Sequence, residues 1–537
     1  MRPLRLLAFG LLLTATRGPI LSAQEHAHAA PADRLGAVHF ATSCRAVAPQ
    51  FDRAVALLHS FEFAAAISGF NSVIAADPTC AMAYWGIALS RWGNPFAAGI
   101  RSAAQLRPGR EAIERAAAMS AGTERERGYI AAVAQLYADH EHTDQRMRIA
   151  AYERSMGVLS AAQPQDPEAS IFYALALAAA APPDDKTYTN QLKAVSILER
   201  ELAAQPNHPG LVHYLIHSHD APALASGGLD AARRYGTIAP SAPHALHMPS
   251  HIYTRVGLWQ ESINTNLKSI AAAEREGSIG EALHASDYLM YAYLQTGQDR
   301  AALAVVTGLP GFAARFDPNA IASAAPGSAG MFALAVIPAR YALERRAWKE
   351  AAALEPAVTA IPWTQAQTHF ARALGAAHTG DGVKARASLD SLGAIRDRLQ
   401  TSGESYWAEQ VAISRLGAAA WLALADHRND DALAGMGEAA AREDATEKSA
   451  VTPGPLAPAR ELLGDMLFEL NRTAEALVAY RATLEKEPNR FRALYGAMRA
   501  AAVSGDRVAA AGYKEQLRKN CRLADVAGRP EIAEIKR

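Results

Sequence analysis

Four times along this chain an alanine is followed four residues later by a large apolar or aromatic residue, and twelve residues later by a proline. The sets are Ala66, Phe70, Val73 and Pro78; Ala194, Leu198 and Pro206; Ala231, Tyr235, Ile238 and Pro243; and Ala476, Tyr480, Thr483 and Pro488. Each member has a physical task. The small alanine lets two helices of a hairpin approach closely, and the larger residue one turn on packs against the next hairpin. The proline ends the helix because it cannot continue the hydrogen-bond ladder. Gly257, Gly297, Gly380 and Gly505 each follow an apolar helical run, where a hairpin must turn. No stretch alternates as a strand does. A series of helical hairpins follows, in which each hairpin buries its apolar face only against its neighbours.

The spacing is that of the second helix of a tetratricopeptide (TPR) repeat, and Leu463-Gly464 followed by Leu467 fits the first helix. The expected fold is therefore all-α: a TPR-like helical-hairpin solenoid, wound as a right-handed superhelix. A chain of 537 residues is too long for one compact core, which agrees with an extended array. Breaks rich in Pro, Gly and Ser place N-terminal TPR-like helices at 51–142, central His-rich hairpins at 143–308, further hairpins at 309–445, a linker at 446–458, and C-terminal hairpins at 459–521. A segment at 24–50 precedes these and a tail at 522–537 follows. Thr452-Pro453-Gly454-Pro455 reads as a hinge.

The stretches FDRAVALLHSF (51–61), DPTCAMAYWG (77–86), HPGLVHYLIHSHD (208–220), PHALHMPSHIYTRVG (243–257) and VTPGPLAPARELLGDM (451–466) carry a further likeness. With them the chain resembles a family of exported bacterial tetratricopeptide proteins, from about Leu35 to Cys521. The resemblance implies the fold and export, and it implies that first helices line a concave groove. It supplies no activity.

The first residues read as a secretory signal, 1–23. Arg2 and Arg5 form a basic start, Leu6–Thr14 is apolar but too short to span a bilayer, and Ser22-Ala23 is a cleavage point. No later stretch suits a transmembrane helix, and the expected location is periplasmic or secreted. There, Cys44 and Cys80 either bridge or remain buried thiols, and Cys521 is left over.

Charge balances, with 54 Lys+Arg against 54 Asp+Glu, so no electrostatic footprint for nucleic acid is present. The chain has no H-E-x-x-H, no G-x-S-x-G elbow, no phosphate loop and no C-x-x-C-H.

Histidine is the exception to this plainness. Of 17, eight lie between His208 and His284: His208, His213, His217, His219, His244, His247, His251 and His284. His213 and His217 are four apart and share a helical face, and His244, His247 and His251 follow at spacings of three and four. Pro249 disfavours helix at Met248, which would leave His244 and His247 ahead of the helix that carries His251. Aligning Gly257 with Gly297 sets His244 opposite His284, His247 opposite Asp287 and His251 opposite Tyr291. Imidazoles so gathered suit zinc, copper or iron, and Asp220 or Asp287 would add an oxygen ligand. The other readings are histidines paired within the fold, or a groove that takes a protein or peptide partner. In that groove Tyr253 and Tyr291, and Arg492, Tyr495 and Arg499 of the last repeat, would be the contacts. The expected function is an exported binding scaffold acting through its groove, with a metal-binding protein or metal-dependent enzyme as the alternative.

Overall fold

The computed structural model describes residues 34–537 apart from 98, 120, 121, 322, 358 and 360. The signal segment read from the sequence lies outside the described residues. The described residues contain α-helices and short 3-10 turns and no strand, and no helix among them is long and apolar enough to cross a membrane.

The repeat pattern sets the helix ends. Phe63–Ala76, Thr189–Ala204 and Thr473–Lys486 all stop two residues short of their prolines. Leu229–Ile238 stops earlier, and its proline, Pro243, instead opens the next helix, where a missing N–H costs nothing. Ala66, Ala194, Ala231 and Ala476 are all buried at the hairpin seams. The large residue at the next position explains a glycine in the facing helix. A Cβ on Gly496 would lie 2.3 Å from the Tyr480 ring, so the helix Phe491–Val503 seats on that ring only because the side chain is absent.

Consecutive helices pack as antiparallel hairpins, and alternate helices pack side by side. Ile279–Gln295 lies on Gly327–Glu344, which lies on Pro362–His378, which lies on Ser405–Ala425. The coil also meets itself. Ala48–His59 touches Pro209–His219, and Ile279–Gln295 touches Phe491–Val503. The inside of the coil is therefore filled with side chains, which is what buries the histidines.

The segment 446–458 runs across this interior and is tied down along its length. Arg340 donates to the Gly454 and Pro455 carbonyls at 3.2 and 3.1 Å, Tyr406 to the Glu447 carbonyl at 3.0 Å, and Lys186 to the Thr446 carbonyl at 3.0 Å.

Cys44 and Cys80 are disulfide-bonded, with Cα atoms 5.5 Å apart, and the bond fastens the N-terminal turn to the start of helix Ala81–Trp92. It spans 36 residues. Reduction should lower the unfolding free energy by roughly 3–4 kcal/mol in the chain-entropy model. Denaturant unfolding with and without reductant measures this, and an unchanged midpoint would contradict it.

Candidate metal centre

Helix Pro209–His219 begins with Pro209 at its first position and His208 at its N-cap. It presents His213 and His217 on one face, with ring centroids 4.9 Å apart. The next segment corrects the expectation drawn from Pro249. Met248 keeps right-handed helical angles (φ −51°, ψ −36°), and its N–H reaches the His244 carbonyl at 2.9 Å. Pro243–His247 and Pro249–Arg255 thus continue each other, and His244, His247 and His251 all sit on helix. His284 comes from Ile279–Gln295.

These six residues form two adjoining trios. One ring nitrogen from each of His213, His217 and His244 lies within 4.8 Å of the others, and the same holds for His247, His251 and His284. The trios abut, with 6.0 Å between the His244 and His247 rings and 6.1 Å between His217 and His251.

Outer partners fix the proton of four rings on Nδ1. His213 Nδ1 meets the His59 carbonyl at 2.7 Å, His244 Nδ1 meets Glu281 at 2.9 Å, His247 Nδ1 meets the Asn266 carbonyl oxygen at 2.8 Å, and His251 Nδ1 meets Asp220 at 2.9 Å. Each of these oxygens accepts, so each Nδ1 donates, and each Nε2 is left with a bare lone pair. Such partners are how metal-ligating histidines are oriented. The Nε2 atoms of His213, His217 and His244 are buried and have no hydrogen-bond partner. Buried polar atoms are normally satisfied, so three such orphans on neighbouring rings require a reason.

The charge states fit. Burial drives His213, His217 and His247 well below the ordinary imidazole range, and neighbouring imidazoles push the same way. Burial also lowers His251 against the pull of Asp220, and brings His284 down to about 3. Neutral imidazole is the ligating form. Burial pushes Glu281 up, but the hydrogen bond from His244 and the imidazoles around it outweigh this and hold the carboxyl below its usual range. Glu281 is held further by Ser323 Oγ at 3.0 Å and the Ala325 N–H at 3.1 Å.

His217, His244, His251 and His284 face a cavity of about 30 Å³ bounded by Phe96, Met248, Pro326 and Val451. That is room for about two water-sized occupants. Phe96 stacks on His217 at 4.0 Å, and Phe61 meets His213 edge-on at 4.4 Å from a left-handed backbone position (φ 56°).

His59, His208 and His219 are paired within the fold, although His208 Nδ1 is itself buried without a hydrogen-bond partner. Glu168 is shared by His59 Nε2 and His208 Nε2, each at 3.0 Å, and His59 Nδ1 meets Tyr214 at 2.9 Å. His219 Nδ1 donates to the Leu215 carbonyl. These groups brace the helices around the trios.

Several residues singled out in the sequence stand elsewhere. The glycine register is off by one turn: Glu281, not His284, faces His244; His284, not Asp287, faces His247; and Tyr288, not Tyr291, stacks on His251. Adjacent first helices are staggered by a turn, so equal repeat positions do not lie at equal heights. Asp287 instead pairs with Arg340 at 3.1 Å. Asp220 is the outer partner of His251 and is shared with Arg255 and Lys448. Tyr253 is buried, and Tyr291 accepts from Arg490 at 2.8 Å and donates to Glu487 at 2.6 Å. Arg492 and Tyr495 are taken by Glu531 and Glu534 of the C-terminal helix, while Arg499 lies exposed over the Phe468 ring. Sequence reasoning missed Glu281, Asn266 and the His59 carbonyl. Of these only Glu281, one turn before His284, left a readable spacing.

Glu281→Gln should weaken metal binding at His244 by about 10–100-fold, the usual cost of losing such a partner. Competition against a chelator measures it, and equal affinity in both proteins would contradict it.

No protein-family model matches the chain, and no curated protein matches it. Among solved structures, yeast Tom70 aligns with a TM-score of 0.37 and 12% identity, covering 88% of this chain and 99% of that one. An IFIT1 monomeric mutant with Gppp-AAAA aligns with a TM-score of 0.34 and 11% identity, covering 83% and 90%. Likenesses this distant carry no functional argument. The class of protein rests on the helices themselves: an all-α, TPR-like solenoid of helical hairpins with a cluster of largely buried histidines inside it.

Proposed function

We propose that this chain is an exported transition-metal-binding protein, with His213, His217 and His244 as ligands through Nε2. The observation that carries this reading is a set of three imidazoles, each with a ring nitrogen within 4.8 Å of the others, whose Nε2 atoms are all buried and unpartnered. Glu281 and the His59 carbonyl serve as outer partners that aim His244 and His213. An all-imidazole set favours zinc, copper, nickel or ferrous iron over magnesium or calcium, which prefer oxygen. Three protein ligands leave a position open to a water or a small ligand from the adjoining cavity. The N-terminal signal supports export, and the Cys44–Cys80 disulfide supports an oxidising compartment.

The test is a competition titration of metal-stripped, untagged protein with zinc and with copper, beside His244→Ala. We expect the binding step that belongs to this trio to weaken at least about 100-fold in the variant, since one of three ligands is lost. Equal binding by the two proteins would sink the reading.

A ligand-binding scaffold remains the second reading because of one observation. A cavity of about 130 Å³ lies against segment 446–458, with Arg255, Tyr291, Tyr406, Trp407 and Lys448 on its wall. A protein or peptide partner inserting there should change tryptophan fluorescence, and Trp407→Phe should abolish the change.

A further inference from the structure

We infer that His247, His251 and His284 hold a second metal ion, making the histidine-lined chamber a two-metal centre. The inference rests on the metal reading of the first trio, but a different observation carries it.

His247 Nε2 and His251 Nε2 face each other at 3.1 Å. One of them should carry a hydrogen if this were a simple hydrogen bond, yet the surroundings place both protons on Nδ1. At His247, the acceptor is the Asn266 carbonyl oxygen. The amide cannot be turned about, because Asn266 Nδ2 donates to the Ser262 carbonyl at 2.8 Å and to Ser262 Oγ at 3.3 Å. At His251, the acceptor is Asp220, which Arg255 and Lys448 keep as an anion from 2.8 and 3.1 Å. Two bare lone pairs therefore point at each other across 3.1 Å in a buried setting. That contact is repulsive unless a cation, an added proton or a metal ion, sits against both nitrogens, and the third imidazole beside them, His284, favours the metal ion.

The separation suits an ion. Neighbouring nitrogens bound to one metal at about 2.0–2.1 Å stand roughly 2.9–3.4 Å apart. His284 completes the set: its ring is 4.6 Å from His247 and 6.2 Å from His251, and its Nδ1 is buried without a partner. The outer partners repeat the pattern of the first trio, one acceptor behind each of two rings. Each trio also sends two imidazoles to the same cavity of about 30 Å³: His217 and His244 from the first, His251 and His284 from the second. Two ions would thus share one chamber that admits only water-sized ligands.

The test counts zinc per chain by elemental analysis, after metal-stripped protein is loaded with zinc and passed through a desalting column. We expect two equivalents in the wild type and one in both His251→Ala and His284→Gln. The surviving ion at His213, His217 and His244 doubles as proof that each variant is folded. One equivalent in the wild type, retained by both variants, would overturn the second site and leave the first standing. No zinc in the wild type would overturn both readings. A variant that loses both ions while keeping the wild-type circular dichroism would overturn the division into separate trios.

Discussion

Metal-stripped protein moved from pH 7 to pH 4 should lose several kcal/mol of stability, with most of the loss below pH 6.5. The cause is the set of imidazoles that burial keeps neutral in the fold. His59, His213, His217, His247, His251 and His284 all have pKa values lowered by burial, His284 to about 3. In the unfolded chain the same groups titrate near 6.5. The unfolded state therefore binds more protons between those values, so stability rises with pH through that window and is lost as pH falls. His284 alone spans a window worth on the order of 4 kcal/mol. Glu281 and Asp220, held low by their partners, act in the same direction below their unfolded pKa values. Glu443 opposes them. Burial raises it to about 8 and also raises Glu62, Asp287 and Glu461, so these carboxyls favour the fold at low pH and offset part of the loss from the six imidazoles. Urea midpoints at pH 7, 5.5 and 4 read the effect, and a flat series would mean that the imidazoles are not buried neutral. Bound metal should steepen the loss, because protons compete with it for the same nitrogens.

The second large effect lies at the opposite wall. Arg490 is 1% exposed and holds two buried carboxylates at once. Its Nε and Nη2 donate to Glu461 at 2.7 and 3.0 Å, Nη2 also lies 2.6 Å from Glu344, and Nη1 donates to Tyr291 at 2.8 Å. These groups join three helices, since Glu344 ends Gly327–Glu344, Glu461 opens Ala459–Glu469 and Tyr291 belongs to Ile279–Gln295. Arg490→Leu removes the cation that, among the described residues, the two carboxylates share, and leaves them buried facing each other. Breaking such a buried set from one side costs about 3–5 kcal/mol. Thermal and urea unfolding of the variant at pH 7 measure it, and a loss below about 1 kcal/mol would contradict the account. Burial and Glu344 already push Glu461 upward against the pull of Arg490, so Glu461→Gln in the Arg490→Leu background should recover part of the loss.

How far the sequence spoke can be told from particular residues. The alanine-to-proline spacing marked true hairpin seams, because a small residue and a helix terminator act locally. Turns closed by glycine were visible at Gly257, Gly297, Gly380 and Gly505, all with φ between 69° and 83°. Equivalent left-handed positions filled by Phe61, Arg346, His427 and Asn471 gave no such signal. The trios were half legible. Spacings of three and four named five of the histidines and the glycine register added His284, but the stagger between neighbouring helices moved the facing carboxylate from Asp287 to Glu281. His59 and Glu168 join the cluster from 154 and 40 residues away, through closure of the coil, which no local pattern encodes. The Pro-rich segment 446–458 reads as a loose hinge by composition, whereas Arg340, Tyr406 and Lys186 grip its carbonyls from distant helices. Arg492 and Tyr495 look like groove residues until the C-terminal helix is seen to bring Glu531 and Glu534 to them.

X-ray absorption at the metal edge of zinc-loaded, untagged protein tests the central claim most directly. The expected spectrum has a first shell of imidazole nitrogens at about 2.0–2.1 Å, with the outer scattering of three histidine rings for each ion, and His244→Ala removes one ring from the first site alone. A shell dominated by oxygen or sulfur, or a spectrum that His244→Ala leaves unchanged, would contradict a metal centre built from these histidines.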